Sequence, residues 1–173
     1  MRASRGFTLI ELMVAVALLA VVAALAAPAM GDFIVRQRVA SQAGDLALSM
    51  ALARSEAIKS GQSMAVIPRS AGIAGWSDGW CVGPAGAANC DDATVLRRFD
   101  ARNTVTIQHA DLAAPYRITF LRDGTRGVAA GRPRFRVSSA QLPAAGPNAR
   151  CVLLTPQGRT EVTALARDAN CPQ

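Results

Sequence analysis

Apolar and polar positions divide the chain into three regimes. From Leu12 to Met30, nineteen consecutive residues carry no charge, a run apolar on every side of a helix. After Gly31 the pattern turns amphipathic. Val39, Ala43, Leu46, Met50, Ala53 and Ala57 follow steps of four and three, while Arg36, Arg38, Asp45, Arg54, Glu56 and Lys59 fall elsewhere, so one stripe can pack on a sheet. Gly61 stands where a helix stop is expected. From Phe7 the predicted helix is about 54 residues and roughly 80 Å long. From Ser63 onward, short β-prone segments alternate with Gly, Pro, Asp and Asn: Met64 to Ile67, Thr94 to Phe99, Val105 to Ile107, Arg117 to Leu121, Arg134 to Val137 and Cys151 to Thr155. Pro143 to Asn148 reads as a surface loop. The expected fold is α+β, a lollipop with one long N-terminal helix laid against antiparallel β-sheet. Its parts are a basic N-terminal flank (1–6), an apolar helix (7–30), the amphipathic half of that helix (31–61) and a β-rich domain (62–173).

The N-terminus predicts a location. Arg2 and Arg5 precede the apolar run, and a positive flank stays cytoplasmic. The 24 residues from Phe7 to Met30 make roughly 36 Å of helix, enough for a ~30 Å hydrocarbon core. The expected topology is a single membrane pass with the C-terminal domain outside the cytoplasm. A cleaved secretory signal is the competing reading, with Ala24-Leu25-Ala26-Ala27 as its small-residue site. Glu11 argues against it. A carboxylate within an apolar helix costs about 2.5–3.5 kcal/mol on insertion scales, so it requires a partner or a role.

Gly6-Phe7-Thr8-Leu9-Ile10-Glu11-Leu12 resembles the class III signal of type IV pilins and type II secretion pseudopilins. The resemblance implies cleavage between Gly6 and Phe7 by a prepilin peptidase, methylation of the new Phe7 amine, and packing of the following helix in a filament. It also implies that Glu11 meets the N-terminal amine of a neighbouring subunit. Pro28 removes a helical hydrogen bond and crowds the preceding turn. A kink or local melting is expected there, with Gly31 as a second weak point on assembly. The plainer role for Pro28 is to end the membrane span.

Later segments narrow the family. Gly75-Trp76-Ser77-Asp78-Gly79-Trp80-Cys81-Val82, Ile118 to Thr125 and Leu153 to Arg159 resemble the strand motifs of the GspH/FimT pseudopilin family. That likeness implies a minor pilin or pseudopilin, a structural subunit that helps to initiate or cap a type IV pilus or a type II secretion pseudopilus. Its partners would be other pilins or pseudopilins. Outside the family context, Trp76 and Trp80 read as core aromatics around a turn.

Charge and cysteine content add two further expectations. The chain holds 19 Lys+Arg against 12 Asp+Glu, a net +7, and Lys59 is its one lysine. Between Arg117 and Arg159 stand eight arginines and one acid, Asp123, a local net of +7. This is either a solvated basic face or a surface for the phosphates of nucleic acid. FimT-type minor pilins are implicated in DNA capture, with a Gly-Arg-x-Arg motif near the C-terminus. The matching place here is Gly158-Arg159-Thr160-Glu161, which keeps the first arginine and reverses the second charge. Arg132, Arg134 and Arg136 are candidates on charge alone, expected to share a strand face. Cys81, Cys90, Cys151 and Cys171 lie beyond the apolar run and fit two disulfides in an oxidising compartment. Three pairings are possible. Cys81–Cys90, closing a Gly- and Ala-rich loop, and Cys151–Cys171, tying the tail to a strand, are favoured. No metal, cofactor or catalysis is expected: cysteine spacings do not suit zinc, His109 is the single histidine without a nucleophile motif, and Asp91-Asp92 reads as a solvated pair.

Overall fold

A computed structural model describes residues 7–72, 74–127 and 131–172, with the side chains of 25–29 outside that description. The chain divides into a unit ending at Ile34 and one beginning at Val35. The helix α1 (Leu9–Ser60, 52 residues) runs through both. It stops one residue before Gly61, as the sequence predicts. Pro28 and Gly31 both lie within α1.

In the unit ending at Ile34, large apolar side chains are exposed, among them Leu9 at 77%, Leu19 at 68% and Val22 at 64%. Among the described residues no helix is long and apolar enough to cross a membrane.

Among the described residues the second unit holds eight strands. β1 (Met64–Pro68), β2 (Gly79–Pro84), β3 (Arg97–Asp100) and β5 (Ile118–Phe120) form one antiparallel sheet in the order β3-β2-β1-β5. β4 (Thr106–Ala110), β6 (Arg134–Ser138), β7 (Ala149–Leu154) and β8 (Thr160–Leu165) form the other, in that order. The predicted helical stripe is the core face: Val39 is 1% exposed, and Ala43, Leu46, Met50, Ala53 and Ala57 are 0%. These residues share one cluster with Met64, Val66 and Val82 of the first sheet and Ile107, Phe135 and Val152 of the second. Fully burying a Leu, Met or Phe side chain contributes about 1.5–3 kcal/mol, so this shared cluster holds helix and sheets together.

β1 is buried on both faces. Met64 and Val66 face the main core, while Ala65 and Ile67 pack with Cys81, Ala87 and Cys90 in a smaller cluster. The Cys81–Cys90 disulfide places its loop over that far face. Arg117 fixes the loop by donating from Nη1 to the Ala85 and Ala87 carbonyls at 3.2 and 3.0 Å.

A 3-10 turn (Gly75–Asp78) leads into β2 and links the sheets. The Ser77 hydroxyl accepts from the Ile107 amide at 2.9 Å. Trp76 meets Phe135 edge-on at 4.8 Å, and Trp80 stacks on Phe99 at 5.6 Å. Both tryptophans are buried, so the paired-Trp motif is the aromatic centre of the core. Its glycines have steric causes. A Cβ on Gly75 would lie 1.9 Å from the Ser70 carbonyl oxygen, and Gly79 adopts φ +106° beside the Phe99 carbonyl.

Candidate functional site

The start of α1 is built by the residues around Glu11. The Thr8 hydroxyl accepts from the Glu11 amide at 3.3 Å, while the Glu11 carboxylate accepts from the Thr8 amide and hydroxyl, each at 3.4 Å. This is a reciprocal capping box, which satisfies amides that the first turn leaves without partners and sets a negative charge at the positive end of the helix. The carboxylate that the sequence leaves in need of a partner therefore has one within its own chain. Phe7, immediately before the cap, is 75% exposed. Gly6 lies outside the described residues.

The arginine-rich segment separates into two groups. Five of its arginines brace the backbone. Besides Arg117, the Arg126 Nη2 donates to the Gly131 carbonyl at 2.7 Å and the Arg150 Nη1 to the Pro147 and Ala149 carbonyls, both at 3.0 Å. Arg134 and Arg136 lie two apart on β6 and reach the C-terminal tail, donating to the Cys171 and Ala169 carbonyls. Arg134 is also ion-paired with Asp111, leaving its side chain 13% exposed, and Arg136 donates to the Gln108 side-chain oxygen. These two share a strand face as expected. Arg132 does not join them: it precedes β6, on the exposed approach to Pro133.

The remaining three, Arg122, Arg132 and Arg159, are exposed, and their guanidinium groups make no hydrogen bond among the described residues. Arg159 lies on an open groove of about 520 Å³ with Arg54, Ser55, Ile58, Gly158 and Thr160. Arg54 is held there by donating from Nε to the Gly124 carbonyl at 3.0 Å. A Cβ on Gly158 would lie 2.8 Å from that same carbonyl oxygen, so glycine allows the two turns to approach. Sequence reasoning placed Arg54 on the polar side of the helix and missed its proximity to Arg159. No local pattern links residues so far apart in the chain.

The tail is also fixed covalently. The structure joins Cys81 to Cys90 and Cys151 to Cys171, the favoured pairings. Arg167 adds a 2.8 Å hydrogen bond to the Leu142 carbonyl. Between the tail and the β4–β6 edge is a cavity of about 470 Å³ lined by Gln108, His109, Arg134, Arg136 and Asn170. Its histidine meets Tyr116 with tilted rings at 5.2 Å, both ring nitrogens buried and unbonded among the described residues. Burial pushes the His109 pKa down, favouring neutral imidazole. Asp92 accepts from the Thr94 amide and hydroxyl at 2.9 and 2.7 Å and closes a turn. Those bonds hold its carboxyl below the ordinary range. Among the described residues no group of three or more His, Cys, Asp or Glu is placed to hold a metal.

Comparison with known proteins matches this arrangement. The family model described as type II transport protein GspH matches residues 42–158, and that of the prokaryotic N-terminal methylation motif matches residues 1–27. The fold is similar to that of the type IV minor pilin FimU of Pseudomonas aeruginosa, with a TM-score of 0.59 and 22% identity over 77% of this chain and 96% of that one. It is also similar to the minor pseudopilin EpsH of the type 2 secretion system of Vibrio cholerae, with a TM-score of 0.51 and 13% identity over 76% of this chain and 99% of that one. At these identities the structures establish the fold: a long N-terminal helix packed on antiparallel sheets. The methylation motif and the family together imply anchoring in the inner membrane through that helix. The chain belongs to the GspH family and is a minor pilin or pseudopilin of the type IV pilus or type II secretion class.

Proposed function

We propose that this protein is a non-catalytic subunit that helps to initiate or cap a type IV pilus or type II secretion pseudopilus. The exposed apolar surface from Phe7 to Val22 carries the reading. A helix apolar on all sides is stable only inside a membrane or a bundle of similar helices. Before assembly the helix spans the inner membrane once, with residues 1–6 cytoplasmic and the β-rich domain periplasmic. A prepilin peptidase cuts between Gly6 and Phe7, and the new Phe7 amine is methylated. Cleavage places this amine one residue before the Thr8–Glu11 cap. Glu11 then exchanges its intrachain bonds for the amine of a neighbouring pilin or pseudopilin, while Pro28 and Gly31 supply the weak turns that loosen on assembly. The test is the intact mass of the chain produced with and without a prepilin peptidase. Loss of residues 1–6 with one added methyl group supports the reading; an unprocessed chain in the presence of active peptidase contradicts it.

A second reading, DNA capture by the displayed domain, has support in the exposed cations. Arg122, Arg132 and Arg159, with Arg54 beside Arg159, are the guanidinium groups available to phosphates. Arg134 and Arg136 contribute less directly, because both are engaged with the tail. Glu161 opposes contact near Arg159. Binding of random-sequence DNA across a salt series tests this. Saturable binding that weakens with salt and is lost when Arg54, Arg122, Arg132 and Arg159 become Glu supports it. Absence of binding at low salt makes these arginines a solvated face.

A further inference from the structure

Beyond the edge of the first sheet lies a smaller cavity, of about 280 Å³, whose lining combines two cations with apolar walls and no acid. Arg117, immediately before β5, and Arg126, bridged to Phe120 on the same edge, supply the charge. Leu112, Ile118, Leu121 and Pro133 supply the walls. Four arginines elsewhere have carboxylate partners, at Arg69–Asp100, Arg102–Asp45, Arg134–Asp111 and Arg167–Asp168. Here the hydrogen-bond acceptors are backbone carbonyls alone: those of Ala85, Ala87 and Ala88 for Arg117, and that of Gly131 for Arg126.

The remaining donors are costly. Nε of Arg117, and Nε and Nη1 of Arg126, are buried without an acceptor among the described residues. A desolvated cation without a counter-charge is unfavourable, and a hydrophobic residue of similar volume is usually tolerated as well or better. At position 126 the bond to the Gly131 carbonyl uses Nη2 and leaves the other two nitrogens unmet. Burial pushes the Arg126 pKa down.

We infer that this cavity binds a carboxylate carried on a short aliphatic stem, the charge balanced by Arg117 and Arg126 and the stem covered by Leu112, Ile118, Leu121 and Pro133. Guanidinium recognises carboxylate and phosphate alike. The apolar walls select the carboxylate, since its stem gains from burial, whereas a phosphate would lose hydration on the same surfaces. Two sources present this chemistry: a glutamate side chain of another protein subunit, or a free short-chain acid.

The test uses the full chain in detergent micelles, following the Nε–H signals of assigned arginines by NMR. Butyrate is titrated against butyramide, which has the same stem without the charge, and against a short end-blocked peptide containing one glutamate. Butyrate or the peptide should shift the Arg117 and Arg126 signals together and saturably, leaving Arg122 unmoved. Butyramide should not. Tighter binding of the peptide assigns the site to a protein partner; tighter binding of butyrate assigns it to a free acid. Arg126→Met should weaken binding by about tenfold or more, the loss expected for a charge-assisted contact, while raising or preserving Tm. Arg126→Lys, which keeps a charge, should bind more weakly than wild type but more tightly than Arg126→Met, and serves if the first variant does not fold. No saturable shift with either carboxylate, or equal shifts with butyramide, overturns the inference.

Discussion

Removing the Cys151–Cys171 disulfide by Cys151→Ala and Cys171→Ala tests how the tail is held. The bond closes a loop of sequence separation 20, for which the chain-entropy relation gives about 3.3 kcal/mol at 25 °C. Beyond β8 the tail is otherwise fixed by polar contacts from Arg134, Arg136 and Arg167 to the carbonyls of Cys171, Ala169 and Leu142. Each such bond is worth about 1 kcal/mol net, offset by about 1–2 kcal/mol of backbone entropy per ordered residue. Without the disulfide the tail should therefore detach while the core persists. The second unit holds the shared core and can be assayed from Val35 onward. Urea unfolding of that segment should show a loss of about 3 kcal/mol, and Tm should fall by roughly 6–12 °C at about 2–4 °C per kcal/mol. Limited trypsin digestion of the native variant should cut after Arg167 before it cuts within β6 or β7. A loss below about 1 kcal/mol with the tail still protected would refute this account, because the arginine contacts would then suffice.

Three further outcomes follow from the same structure. Burial lowers the His109 pKa, so the unfolded chain takes up its proton at higher pH than the folded one; stability should decline as pH falls through about 6.5 and level off below the folded-state pKa. His109→Phe, titrated by urea unfolding between pH 7.5 and about 5, should lack this component. Gly75→Ala forces a Cβ against the Ser70 carbonyl and should cost about 2 kcal/mol or more in thermal melts. Gly44→Ala, inside α1 with nothing within 4 Å, should instead stabilise by about 0.5–1 kcal/mol in the same assay.

The helix was legible because its stripe repeats over many turns and one face meets the core, from Val39 to Ala57. The strands were less so, for opposite reasons. β2 is buried almost throughout, so Gly79 to Pro84 has no alternation and was visible chiefly through the family motif. β8 is largely exposed on both faces, so Thr160 to Leu165 also lacks the two-residue rhythm. β3 begins at Arg97 rather than Thr94 because Asp92 draws Thr94 into a turn. The charge count near the C-terminus was visible, but not the division of labour within it. Arg134 meets Asp111 only after β4 and β6 pair. The carbonyls that occupy Arg117, Arg126 and Arg136 lie on loops whose paths no local pattern sets.

The central claim is that the chain joins a filament through its N-terminal helix, with Glu11 passing from its own cap to a neighbour's amine. The most direct measurement compares wild type with Glu11→Ala in cells carrying the matching assembly system, detecting each chain in sheared filaments and in the inner membrane. Wild type should appear in both fractions, and the variant should remain in the membrane with a folded, disulfide-bonded domain. Normal incorporation of Glu11→Ala, or absence of wild type from the filaments, would contradict the account.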